Sequence, residues 1–191
     1  MKNTLKIIFL GIIGFAALVY FTMPENFNKN FEQNKALSIE SIPKYFDIVG
    51  GNPYTKFEEI FKSNEEKFII VLNHDALAVF KDLHTKIDKG IVLIANISNT
   101  PWLIKQIAVN GELEKMYKDS KIPLINDSDG IFVKNLGLND NKQNKYFIYK
   151  LRLDGKIEKV KEDSVKEGAL SKALTEKELE KDIKTILENL K

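Results

Sequence analysis

The sequence predicts an α/β domain with a mixed central sheet flanked by helices, carried behind one N-terminal transmembrane helix, and three stretches carry that prediction. Residues 91–98 read Ile-Val-Leu-Ile-Ala-Asn-Ile-Ser, an apolar and β-branched run of the kind that makes a strand buried on both faces. Asn99-Thr100-Pro101-Trp102 follows, with Thr100 as an N-cap and Pro101 at the first helical position, so this strand feeds straight into a helix. Residues 146–153, Asp154-Gly155 and 156–162 read as strand, two-residue turn and strand. Finally, residues 7–23 form an uncharged apolar run preceded by Lys2 and Lys6, long enough for the roughly 17–25 residues that span a bilayer core.

Basic residues on the N-terminal side of that run favour keeping it in the cytoplasm and exporting the rest. Val19-Tyr-Phe-Thr-Met-Pro24 lacks the small-X-small pattern of a signal-peptidase site, so an uncleaved anchor over residues 1–23 is expected, with a cleaved signal as the alternative. The address is then a bacterial inner membrane, crossed once, with the C-terminal domain in the periplasm. The chain has 29 basic and 27 acidic residues, interspersed, for a net charge of +2. No basic stripe exists to neutralise phosphates, and nucleic acid is not an expected partner. The absence of cysteine excludes disulfides, thiolate chemistry and cysteine-ligated zinc.

From Pro24 to Pro53 the composition shifts to Asn, Lys, Glu and Ser and ends in Gly50-Gly-Asn-Pro53, a boundary signal. Residues 24–53 are therefore read as a linker and 54–191 as the domain. Phe57, Ile60 and Phe61 are at helical spacing, and residues 67–73 are the first strand. Ala76, Val79, Phe80, Leu83 and Ile87 form one helix face, with Asn73 or Asp75 as its cap. After Pro101, Ile104, Ile107 and Ala108 mark a helix that Asn110-Gly111 interrupts before Leu113, Met116 and Tyr117 resume the pattern. Residues 121–125 make a third strand, 126–130 a turn, and 131–136 with Gly137 a short helix. Thr175 with Glu178 is a capping box opening a last helix, whose face is Leu179, Ile183, Ile186, Leu187 and Leu190.

The order β-α-β-α-β-α-β-β-α, with a strand ending in a Pro-X helix start, resembles the thioredoxin superfamily, most closely its exported, membrane-tethered branch. Aligning the prolines puts Asn99 and Trp102 in the two cysteine places of Cys-X-Pro-Cys. The resemblance also implies a cis-proline before the fourth strand, held against the active-site turn, and Tyr146 or Phe147 stands in that place. Both halves of the redox machinery are missing, so thiol-disulfide exchange is not expected. What the resemblance leaves is a binding surface at the degenerate turn and groove: Ser98, Asn99, Thr100, Pro101, Trp102, Tyr146 and Phe147.

A Ser or Thr nucleophile at that turn would need a base, and neither His74 nor His84 is aimed at it by sequence position. Asp127-Ser-Asp129-Gly130 lacks the ligand count of a calcium loop, since Leu138 stands where an EF-hand has its bidentate Glu. No enzyme activity, metal or cofactor is expected. The expected role is a protein-binding or assembly module, meeting the membrane through its N-terminal helix and another exported or membrane protein through its domain. Two alternatives are a non-catalytic partner of a thiol-disulfide oxidoreductase or cytochrome-maturation system, and a purely structural domain.

Overall fold

A computed structural model of the chain describes residues 2–23, 37–62, 64–87, 90–105, 109–140, 142–172 and 174–190. Helix α1, Lys2–Phe21, contains an 18-residue window of mean hydropathy 2.2 and buries none of it. The helix is long and apolar enough to cross a membrane.

The domain is a mixed α/β layer structure. Its five-stranded sheet comprises β3 (Lys67–Leu72), β4 (Ile91–Ala95), β5 (Leu124–Asn126), β6 (Lys145–Leu151) and β7 (Ile157–Ser164), in the order β5-β4-β3-β6-β7. Strands β3, β4 and β5 are parallel, while β6 is antiparallel to both β3 and β7. The parallel strands are apolar at nearly every position because helices cover both faces. Alternation then sorts their side chains. Ile70, Leu72, Leu93, Tyr146 and Ile148 enter one core with α3 (Ala76–Phe80), α5 (Asn110–Tyr117) and α7 (Glu176–Asn189). Ile69, Val71, Val92, Phe147 and Tyr149 enter the other with α2 (Phe57–Ile60) and α6 (Ile131–Asn135).

Several expected boundaries move for local reasons. The hairpin turn has three residues rather than two: Arg152 N–H donates to Lys156 O at 2.9 Å, and Gly155 takes the left-handed conformation at φ 80° that closes such a loop. Thr100 does not cap α4 (Trp102–Ile104); its N–H turns back to Ile97 O at 3.0 Å, and Pro101 is the boundary residue in extended backbone. Asp75 stands at the N-cap position of α3, but neither its side chain nor that of Asn73 makes a capping bond, because both are committed elsewhere. The expected Ile107 and Ala108 positions lie outside the described residues; beyond them α5 starts at Asn110.

Of the expected linker, residues 24–36 lie outside the described residues, and 37–53 belong to the folded unit. Ile42 and Phe46 are 6% and 3% exposed in the second core. Phe46 lies on β1 (Tyr45–Phe46), which pairs with β2 (Thr55–Lys56). At one end of this segment Ile39 N–H donates to Gly155 O (2.7 Å) and Ile157 N–H to Leu37 O (3.0 Å); at the other, Val49 N–H donates to Leu124 O (2.9 Å) and Asn126 N–H to Asp47 O (2.8 Å). The segment is a belt running from the start of β7 to β5, across one whole face of the sheet. It satisfies edge groups of β5 that would otherwise invite another chain.

Candidate functional site

All three parallel strands end in asparagine: Leu72-Asn73, Ala95-Asn96 and Ile125-Asn126. The carboxyl ends of parallel strands are where open α/β sheets bind ligands, and here the asparagines build a polar rim. Ser98 Oγ donates to Asn96 Oδ1 at 2.9 Å, Asn96 Nδ2 to Asn73 Oδ1 at 2.8 Å, and Asn73 Nδ2 to the carbonyls of Lys142 (2.8 Å) and Asp140 (3.2 Å). Each donor in this chain meets an acceptor, so the two buried amides are satisfied and fixed. Asn126 Nδ2 donates to Asp47 Oδ2 at 2.7 Å instead, tying the belt to the same rim.

The 96–101 turn is locked from a second side. Lys105 is 8% exposed, and its Nζ donates to Ser98 O at 3.2 Å and to Ser128 O. Burial lowers the pKa of this lysine, with Asp129 and Asp127 working in the opposite sense. Asp127, also buried, accepts from the N–H groups of Phe132 (3.0 Å) and Val133 (2.9 Å) at the start of α6. Desolvation raises its pKa against those bonds. Gly130 supplies the remaining contact. It is left-handed at φ 68°, and a Cβ there would stand 2.8 Å from Ser98 Cβ. The Asp127–Gly130 turn is thus an α6 cap pressed against the 96–101 turn, and both Asp127 oxygens are used on backbone.

On this frame Asn99 and Trp102 are exposed, Trp102 at 59%, while Ser98, Thr100 and Pro101 are half-buried. Trp102 N–H donates to Thr22 O at 3.3 Å, and α1 lies against α4. Tyr146 and Phe147 are placed away from this corner. They are 2% and 1% exposed, point to opposite cores, and sit on β6, which β3 separates from β4. Two strand spacings, about 10 Å, lie between β4 and β6, so neither residue lines a surface with the turn. The Ser98 hydroxyl is spent on Asn96. His74 Nδ1 lies 3.4 Å from Asp75 Oδ1 and His84 Nδ1 lies 3.1 Å from Lys81 O. The corner can therefore present Asn99 and Trp102 for contact, with a backbone fixed beneath them.

Beside the belt, a depression of about 210 Å³ is lined by Asp47, Asn110, Glu114 and Asn126 among others, and Asn110 Oδ1 and Asn126 Oδ1 are buried with no hydrogen-bond partner among the described residues. Lys105 and the strand-end asparagines were not among the expected site residues. The asparagines carry a visible signal, the same residue closing three apolar runs; Lys105 carries none, since its acceptors are backbone carbonyls, one seven residues before it and one twenty-three after.

No family model matches the chain, and no curated protein matches it in sequence. Among solved structures it is similar to the crystal structure of an uncharacterized conserved protein from Geobacillus kaustophilus, at 15% identity and a TM-score of 0.38, covering 77% of this chain and 76% of that one.

Proposed function

We propose that this chain is a redox-inactive, thioredoxin-like binding module, tethered by α1 to a bacterial inner membrane with its domain in the periplasm, which holds another exported or membrane protein at its 99–102 corner. The observation that carries the reading is the pairing of a locked turn with an exposed aromatic: the Asn73–Asn96–Ser98 chain and Lys105 fix the backbone, and Asn99 and Trp102 stand out from it. A surface already ordered loses little conformational entropy when it binds, and exposed tryptophan is the residue type that most often dominates such contacts. The thioredoxin-like assignment rests on the element order and the Pro-X helix start; the mixed sheet has two parallel β-α-β connections and an antiparallel hairpin, with β6 beside β3 rather than beside β4. The lack of cysteine removes thiol exchange, and Lys2 and Lys6 at the N-terminal end of α1 support the orientation. Burial of Tyr146 and Phe147 restricts the contact surface to the corner itself.

A photo-cross-linking side chain placed at Asn99 in the intact, membrane-bound chain tests this. A discrete protein adduct is expected from position 99 and is reduced by Trp102→Ala. The same probe at Leu153, exposed in the hairpin turn at the other end of the sheet, is expected to give none. Equal labelling from both positions, or none from either, would remove the corner as a docking site.

A further inference from the structure

The place of Trp102 relative to the end of α1 determines what that corner meets first. The apolar window of α1, Thr4–Phe21, has 18 residues and so extends about 27 Å, close to the thickness of a bilayer's hydrocarbon core. If α1 spans the membrane, its last turn reaches the interface. Thr22 is the next residue, and its carbonyl accepts the Trp102 N–H at 3.3 Å. Trp102 is thereby held at the level of Tyr20 and Phe21, which are 71% and 82% exposed. Three exposed aromatic side chains then share one depth, two from the helix and one brought to it by the domain. Tyrosine and tryptophan, here Tyr20 and Trp102, collect at that depth because an apolar ring with a polar edge suits the headgroup boundary better than water or hydrocarbon.

We propose that the domain is seated on the bilayer, with the Trp102 indole inserted among the lipid headgroups as a second, interfacial anchor beside α1. The domain then does not swing on its tether. The 99–102 corner faces the membrane plane, and a partner reaches Asn99 along the bilayer surface. This rests on the membrane-tethered reading above and adds the lipid as a ligand of the same corner.

Trp102 is the sole tryptophan of the chain, so its fluorescence reports this contact without labelling. The full chain is inserted in phosphatidylcholine vesicles, and α1 insertion is scored separately by resistance to alkaline carbonate extraction. Trp102 emission is expected to fall about twofold with lipid brominated near the glycerol, to fall less with lipid brominated near the chain end, and to resist aqueous acrylamide. In the Trp102→Phe, Leu153→Trp double variant the reporter sits at the far end of the sheet, because Leu151 pairs with Lys67 at the start of β3. Neither lipid should quench it. The proposal is overturned if the inserted chain leaves Trp102 unquenched and open to acrylamide, if the Leu153→Trp reporter is quenched equally, or if deep bromines quench Trp102 more than shallow ones. A chain that carbonate extracts overturns both this proposal and the tether. Quenching of Trp102 without a cross-link from Asn99 leaves the lipid contact standing and removes only the protein partner.

Discussion

At the scale of single residues, Gly130 is the tightest point in the candidate site. Two separate demands fall on it: a left-handed backbone at φ 68°, and a gap beside Ser98 that a Cβ would close to 2.8 Å. Gly137 shares the first demand at φ 67° but has nothing within 4 Å of its own Cβ position. Gly137→Ala should therefore cost only the conformational part, about 1–2 kcal/mol. Gly130→Ala adds overpacking against Ser98, for a loss of about 2–5 kcal/mol in all. Urea unfolding of the two variants checks the order, and equal midpoints would mean that the two turns are not in contact. Lys105 explains why that contact is worth keeping, since its ammonium reaches carbonyls on both turns and an ordinary aliphatic side chain could bind neither.

Among the elements, α7 shows how local chemistry can be read directly from spacing. Thr175 and Glu178 are three apart, and in the structure Thr175 N–H donates to Glu178 Oε2 at 3.0 Å while Glu178 N–H donates to Thr175 Oγ1 at 3.4 Å. Lys166 donates a further bond to the same carboxylate at 2.7 Å. That bond, with those from Thr175, lowers the Glu178 pKa to about 2. A carboxylate depressed in the folded state stabilises fully above its unfolded pKa, and the stabilisation is lost as pH falls through the folded value. The Tm difference between the native chain and Glu178→Gln should thus be constant above about pH 5 and shrink as the pH is lowered toward 2. A difference unchanged at acid pH would place the helix cap elsewhere. Strands β3 and β4 were legible for the same local reason, as apolar runs, and so was the late hairpin. Asp75 was not: its spacing suggests an α3 cap, yet its carboxylate accepts from Gly168 N–H at 2.7 Å, ninety-three positions away. Tyr146 and Phe147 show the other limit. Their strand is plain in the sequence, but that β3 separates it from β4 is a matter of pairing, which no alternation pattern encodes.

Over the whole molecule, the belt of residues 37–53 was the least legible part. Its composition is that of a linker, and its partners, Ile125 for Ile48 and Lys156 for Ser38, are far along the chain. Its removal has a definite consequence. A chain starting at Leu37 should fold and remain monomeric, whereas one starting at Tyr54 loses Ile42 and Phe46 from the second core and bares the edge of β5. Light scattering of the two purified chains is the check: aggregation of the shorter and not of the longer is expected. Strand β7 is covered by the belt only at its start, and beyond Ile157 it carries Glu158, Lys159, Lys161 and Asp163 and is twisted by a bulge at Val160.

The belt also imposes an order of events as the chain is made. Synthesis runs from the N-terminus, so residues 37–53 emerge early, yet the backbone groups they pair with belong to β5 and to the hairpin turn. Strands β3, β4 and β5 can assemble as they appear, each beside the one made just before it. The belt must wait for Gly155 and Ile157 before both its ends are tied. Until then Ile42 and Phe46 have an incomplete core to enter, although their segment is made before any strand of the five-stranded sheet. A chain that stops before Gly155 therefore lacks the partners that tie the belt's first end.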